Sequence, residues 1–314
     1  MLRQAAAGAA LVAAAAAVLL WEPAIDHEPA RLVPRALAVA ARVGIAPQGT
    51  PDESRPVATQ VPRTSLAAAY ARATDVRQFV LEAMQRPGDG GLFYARIALQ
   101  NCSGADHATM DAAIRRVIEL TGTVSADQMR VADAAVRRCA SFQGREAHRL
   151  FERAVLQSRD GSDPLVNAER GFGEALAAGD RDRVRAAVVR ILDLGDPHLQ
   201  VLLLRTARRA SAAHESSGDA PGEGQPLDAA QVDEVLSGSA IALAACRDGL
   251  SCDYDAVMHM ECLGAGLCAG SREAHVRAWL ALGGIAAQDI DRLPALVTRA
   301  RRAMDEKDVD FFLR

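Results

Sequence analysis

The residues best suited to chemistry lie in one short stretch near the C-terminus, from Ala245 to Cys268. It reads ACRDGLSCDYDAVMHMECLGAGLC, so that Cys246 and Cys252, and then Cys262 and Cys268, each enclose five residues. Such a cluster can supply disulfides, zinc ligands or a redox pair. Zinc motifs usually contain C-x2-C or C-x4-C, and a redox pair usually contains C-x-x-C, so the spacing favours disulfides.

The cysteines predict a disulfide framework, because an even number of them in an exported chain is typical of one. The six are Cys102, Cys139, Cys246, Cys252, Cys262 and Cys268. We expect the first two to form one bridge that ties the ends of an antiparallel helical group. Within the cluster, each pair would close its own short loop, and a crossed pairing is the alternative.

Four polar residues in the same stretch are the candidate catalytic residues: Asp253, Asp255, His259 and Glu261. The last three can approach one another on about one and a half turns of helix, as general acid–base catalysis or metal binding requires. The alternative, which we favour, is that an aspartate caps a short helix while His259 and Glu261 lie on the surface. On that interpretation the chain has no catalytic residue here, no cofactor and no bound metal.

Several other kinds of chemistry are disfavoured by composition. Lys307 is the only lysine in the chain, so no lysine is available for a phosphate-binding loop. The segment Gly264–Ala269 matches G-x-G-x-x-A, but no strand precedes it, and we interpret it as a turn. A formal net charge of -4 gives no indication of a basic surface that would bind nucleic acid.

The segments that would position these residues are helical. Half of the residues are apolar but only 4 % are aromatic, and the apolar residues are largely Ala, Leu and Val. That composition favours helices over strands. N-caps are predicted at Asp75 and Asp163, and a capping box at Ser125-x-x-Gln128. We predict an all-α fold: an irregular, solenoid-like array of helical hairpins or a bundle, stapled by disulfides.

A possible repeat lies in the middle of the chain. Asp163-Pro164 and Asp196-Pro197 are 33 residues apart, and each is an N-cap followed by a proline at the first helical position. Between them the sequence predicts two helices joined by a turn at Gly179-Asp180. This plan resembles a tetratricopeptide-like or Sel1-like helical hairpin.

The N-terminus predicts export. Arg3 is followed by an uncharged apolar run from Ala5 to Leu20 and then by Trp21, which is typical of a signal peptide or a membrane anchor. No suitable cleavage site follows, which favours the anchor. We predict a signal peptide or anchor at 1–21, a linker at 22–64, a helical domain at 65–211, a flexible loop at 212–227 and a cysteine-containing helical region at 228–314.

Two blocks, FVLEAMQRPGDGGLFYARIALQNC and AACRDGLSCDYD…ECLGAGLC, resemble a group of uncharacterised exported proteobacterial proteins. The resemblance implies an exported α-helical protein with disulfides and carries over no catalytic residue. We therefore expect a binding or scaffold protein of the cell envelope, anchored on the periplasmic side of the inner membrane or secreted to the periplasm. Its partners would be the membrane, through the N-terminal segment, and an unknown protein or envelope component. The alternatives are an envelope hydrolase that uses the carboxylates near Asp253–Glu261 and a metal-binding protein that uses Cys246–Cys268.

Overall fold

The fold was analysed in a computed structural model that describes residues 66–102, 111–112, 114–115, 117–119, 122–215, 227–247, 261–263 and 266–313. Over these ranges the chain forms helices and turns and contains no strand. The α-helices are α1 (Leu66–Arg72), α2 (Val76–Ala83), α3 (Gly91–Cys102), α4 (Ala126–Cys139), α5 (Glu146–Gln157), α6 (Pro164–Ala177), α7 (Arg181–Leu194), α8 (Pro197–Glu215), α9 (Ala229–Ala244), α10 (Arg272–Leu282), α11 (Ala287–Ile290), α12 (Leu293–Glu306) and α13 (Val309–Phe312). Short 3₁₀ turns occupy Pro87–Asp89, Ser158–Asp160 and Ala245–Arg247. The predicted all-α class is confirmed.

Four helices begin directly after a capping residue whose side chain binds the first backbone amides of the helix. Asp75 accepts a hydrogen bond from the Gln78 amide at the start of α2, and Ser125 and Gln128 form the reciprocal capping box of α4. Asp163 and Asp180 cap α6 and α7 in the same way. Each side chain satisfies amide groups that have no partner within the helix, so these short-range signals set the helix boundaries.

Short turns fold neighbouring helices into hairpins. The α6–α7 turn contains Gly179 (φ 64°), and the α7–α8 turn contains Gly195 (φ 63°), a left-handed conformation that glycine adopts without strain. The main apolar core runs from α1 to α8 and also includes Ile241, Ala300 and Phe312 from later helices. A second core packs α9 against α10, α11 and α12.

Two of the predicted cysteine pairs are within disulfide distance. Cys102, at the end of α3, and Cys139, at the end of α4, have Cα atoms 5.5 Å apart. Cys262 and Cys268 have Cα atoms 4.4 Å apart and close a local loop. Cys246 is also disulfide-bonded, while its predicted partner Cys252 lies outside the described residues.

The predicted N-terminal apolar segment, linker and most of the predicted loop at 212–227 lie outside the described residues. Among the helices that are described, none is both long and apolar enough to cross a membrane. Signal, anchor and compartment therefore stay predictions.

Candidate functional site

Glu261 is the one candidate catalytic residue in the described part of the chain. Asp253, Asp255 and His259 lie outside the described residues. The predicted acid–base constellation, and with it the envelope-hydrolase alternative, stays a prediction. Glu261 itself contacts residues that the structure describes.

The Glu261 carboxylate contacts His275 on α10, a residue that the sequence did not mark as a candidate. The side chain of His275 is buried, with its Nε2 2.5 Å from Glu261 Oε2 and its Nδ1 3.2 Å from the Leu267 carbonyl oxygen. Because a carbonyl oxygen can only accept, Nδ1 carries a proton and donates it to Leu267. Nε2 makes the hydrogen bond to the carboxyl group of Glu261. Both ring nitrogens are thus engaged inside the fold.

The Cys262–Cys268 disulfide brings both hydrogen-bond acceptors to His275. Glu261 precedes the first cysteine of the loop and Leu267 precedes the second, and the Leu267 amide donates to the Glu261 carbonyl oxygen at 3.3 Å. Gly266 (φ 71°) makes the turn and donates to the Cys262 carbonyl at 3.0 Å. The covalent loop therefore fixes the distance between the Glu261 carboxyl group and the Leu267 carbonyl oxygen, which both face the imidazole of His275.

The same loop is attached to α4. Gln128 Nε2 donates to the carbonyl oxygens of Cys262 and Leu263, both at 3.2 Å. Leu263 packs in a small buried cluster with Ala132 and Val136 of α4. Gln128 thus has a second contact besides the capping box, and it links the cysteine-containing region to α4.

These contacts leave His275 little scope as a catalytic base. An acid–base residue needs a nitrogen within hydrogen-bond reach of its substrate, and both nitrogens of this buried ring already have partners. The arrangement is well suited to holding the disulfide loop against α10. Among the described residues, no group of three His, Cys, Asp or Glu side chains is placed to hold a metal ion.

All cysteines within the described ranges are disulfide-bonded. Zinc is bound by the thiolate form of cysteine, so the metal-binding alternative needs these cysteines to be reduced. It stays a prediction.

A second, partly buried polar cluster lies where α3 meets the start of α8. Tyr94 donates its hydroxyl proton to Asp196 Oδ2 at 2.6 Å, and His198 Nδ1 is 3.2 Å from the same hydroxyl oxygen. Since the tyrosine proton is used, His198 donates from Nδ1. Burial raises the pKa of Asp196, although hydrogen bonds from Tyr94 and the Leu199 amide oppose the shift. Burial, together with the nearby Asp196, also raises the pKa of Tyr94, so that Tyr94 remains a donor.

Asp163 holds two helix N-termini with a single carboxylate. Its Oδ1 accepts from the Leu165 and Val166 amides of α6, at 2.9 and 3.0 Å. Its Oδ2 accepts from the Leu92 and Phe93 amides of α3, at 2.8 and 3.1 Å. The side chain is fully buried. A polar group can be buried at low cost when it is fully hydrogen-bonded, and here all four bonds come from backbone amides.

The sequence alone indicated only some of these contacts. The Asp-Pro pairs marked Asp163 and Asp196 as caps, but their partners on α3 lie 71 and 102 residues away along the chain. His275 has no local signal beyond its position on a helix near two cysteines. Only packing reveals these contacts.

The α6–α7 hairpin carries a shallow, largely open cleft of about 590 Å³. Small and apolar side chains form most of its lining: Ala168, Gly171, Phe172, Ala186, Ala187 and Val189. Asn167, Arg190 and Asp193 supply polar groups. A Cβ atom added at Gly171 would meet no atom within 4 Å, so the cleft has free space there.

Comparison of the chain with protein-family models, with curated proteins and with solved structures found no match.

Proposed function

We propose that this is an exported or membrane-anchored helical protein of the cell envelope that binds a partner through the α6–α7 hairpin. The cleft between these helices is the observation that carries the proposal. On this proposal the protein acts as a binding or scaffold protein on the periplasmic side of the inner membrane or free in the periplasm.

The shape and chemistry of the cleft support a helical occupant. Each of the two helices has 14 residues, which corresponds to about 21 Å of length. Small residues such as Gly171 and Ala187 allow the backbone of another helix to approach closely, and Val189 is 40 % exposed. An amphipathic helix that lays its apolar face into such a groove is a common mode of peptide recognition.

The disulfides support the proposed compartment. Disulfides persist in oxidising environments such as the bacterial periplasm and are rare in the cytosol. Cys102 is 7 % exposed and Cys139 is 9 % exposed, so the bond between α3 and α4 is part of the folded interior. An oxidising compartment also agrees with the apolar segment at Ala5–Leu20.

The test places a photo-crosslinking amino acid at Val189 in the full chain, expressed in the cells that naturally make it. We expect a discrete covalent adduct with one partner after illumination. Gly171→Trp should abolish the adduct, because the indole occupies the free space of the cleft.

Gly173→Trp is the matched control. Gly173 lies on the same helix and also has no atom within 4 Å of an added Cβ, but it does not line the cleft. It should leave the adduct unchanged. An adduct that survives Gly171→Trp, or the absence of any adduct at Val189, would contradict binding through this hairpin.

A further inference from the structure

The outer side of α5 carries four arginines around an exposed leucine. Arg145 is the N-cap, and Arg149 and Arg153 follow at intervals of four residues. Leu156 and Arg159 follow at intervals of three, the latter in the 3₁₀ turn after the helix. Residues three and four apart lie on one side of a helix, so the five form one surface, here named the arginine face.

The four guanidinium groups form no ion pair within 4 Å with a described residue, whereas Arg77 on α2, Arg96 on α3 and Arg130 on α4 each do. The acidic groups of this segment already have other partners, in the pairs Glu146–Arg77, Glu152–His148 and Asp160–Ser162. Counted against Glu152 and Asp160, which lie on the same exposed side, the four arginines leave an excess of two positive charges.

The opposite side of α5 fixes this surface in place. Leu150 and Ala154 are buried in the main core, so the helix cannot rotate its arginines toward the interior. Leu156 is 59 % exposed, the largest value among the big apolar residues in the described part of the chain. The protein therefore presents an apolar side chain on a rigid support, among four arginines that form no close ion pair with the described residues. Arg149 is nevertheless near enough to Glu146 to add to the hydrogen bond from Arg77 in lowering the pKa of that carboxyl.

We propose that the arginine face docks on an anionic lipid headgroup layer. Clusters of four or more basic residues on an amphipathic helix bind anionic lipids, and guanidinium groups pair with phosphate oxygens. Leu156 enters the boundary between headgroups and acyl chains, where interfacial helices bury their apolar residues. The whole chain carries a net charge of -4, so attraction is local and orients α5 toward the membrane. This inference does not rest on the α6–α7 cleft.

The test uses the full chain with Leu156→Trp and vesicles that contain brominated lipids, which quench a nearby indole. We expect brominated phosphatidylglycerol to quench the indole at position 156 more strongly than brominated phosphatidylcholine does. Quenching should fall when the ionic strength is raised to about 1 M, where the Debye length is about 3 Å. Adding Arg149→Gln and Arg153→Gln should weaken partitioning onto phosphatidylglycerol vesicles about tenfold or more.

Leu202→Trp is the matched control, because Leu202 is 36 % exposed but lies on α8. Both variants retain Trp21 and Trp279, so any quenching specific to α5 appears as a difference between them. Circular dichroism verifies that each variant keeps its helices. Equal quenching of the two variants, or equal quenching by the two lipids, would overturn the proposal. So would tight binding of polyglutamate without vesicle binding, which would indicate an acidic protein partner.

Discussion

In the region from α1 to α8, the buried carboxylate of Asp163 caps the starts of two helices. In the region from α9 to α13, the buried imidazole of His275 instead holds a disulfide loop in place. Asp163 takes all four of its hydrogen bonds from backbone amides. His275 takes both of its contacts from residues that flank Cys262 and Cys268. The first arrangement forms whenever the helices pack, while the second depends on a covalent bond. We infer that reduction of the disulfides disturbs the contacts of His275 more than the hydrogen bonds of Asp163.

The two disulfides also differ in how far along the chain they reach. Cys102 and Cys139 are separated by 37 residues and join α3 to α4, whereas Cys262 and Cys268 are separated by 6 and close a local loop. A longer closed loop restricts the unfolded chain more, so the first bond should contribute more to global stability. The second bond should act mainly on its own neighbourhood.

The largest effect is expected from removing the long-range bond. Replacing Cys102→Ala and Cys139→Ala together should lower the free energy of unfolding by about 4 kcal/mol, mainly because the unfolded chain gains entropy. Urea denaturation of the oxidised proteins measures the difference. A loss no larger than that caused by removing the Cys262–Cys268 bond would contradict the proposed difference between the two bonds.

The next largest effect is expected at Asp163. Asp163→Ala leaves four buried amides without acceptors and should lower the free energy of unfolding by about 3 kcal/mol. Asp180→Ala is the matched control, since Asp180 caps only α7 in an exposed setting, and it should cost about 1 kcal/mol. Similar losses for the two variants would show that the contact with α3 adds nothing.

A smaller and more local effect is expected from Cys262→Ala with Cys268→Ala. Global stability should fall by about 2 kcal/mol. Hydrogen exchange should accelerate at the Leu267 amide, which bonds to Glu261, while the Leu92 amide bonded to Asp163 stays protected. Uniform acceleration at both amides would mean that the loop and the main core unfold as one unit.

The smallest effect is expected at Asp196, and it depends on pH. Because burial raises its pKa above the ordinary value of 3.8, the folded state favours the protonated carboxyl. The stabilisation from Asp196 is present below that value and is lost as the pH rises through the pKa in the folded protein. Asp196→Asn cannot ionise, so its stability relative to the unmodified protein should rise with pH.

Urea denaturation across a pH series measures this difference. Asp180→Asn serves as the control, because that aspartate also caps a helix but its hydrogen bonds are exposed to solvent. A stability difference for Asp196→Asn that does not change with pH would contradict an effect of burial.

Local sequence patterns predicted the helices because the signals that start them act within one turn. Asp75, Ser125 and Asp163 each accept from an amide two or three residues ahead, and each was predicted as a cap from sequence alone. The buried residues of α2, which are Val76, Phe79, Val80 and Ala83, lie three and four residues apart, as on one face of a helix. The same short range explains why hairpins in the middle of the chain were predictable.

Polar contacts between distant segments were not predictable from these patterns, although the pairing of Cys102 with Cys139 was. Arg138, which is buried, donates from Nε to the Ala73 carbonyl oxygen at 3.0 Å and stacks on the ring of Tyr70, joining α4 to the end of α1. Its sequence neighbours suggest only an exposed basic residue. Glu261 was a candidate for catalysis, yet its partner His275 is determined by a loop whose closure requires a disulfide. Long-range polar contacts depend on which segments pack together, and local residue type and spacing do not indicate that.

The most direct test of an exported, disulfide-stapled helical protein is disulfide mapping of the chain isolated from the cells that naturally make it, with free thiols alkylated at lysis. We predict no alkylation at Cys102, Cys139, Cys262 or Cys268, and linked peptides that join Cys102 to Cys139 and Cys262 to Cys268. Alkylated Cys102 and Cys139 in the folded protein would contradict both the stapled fold and the oxidising compartment.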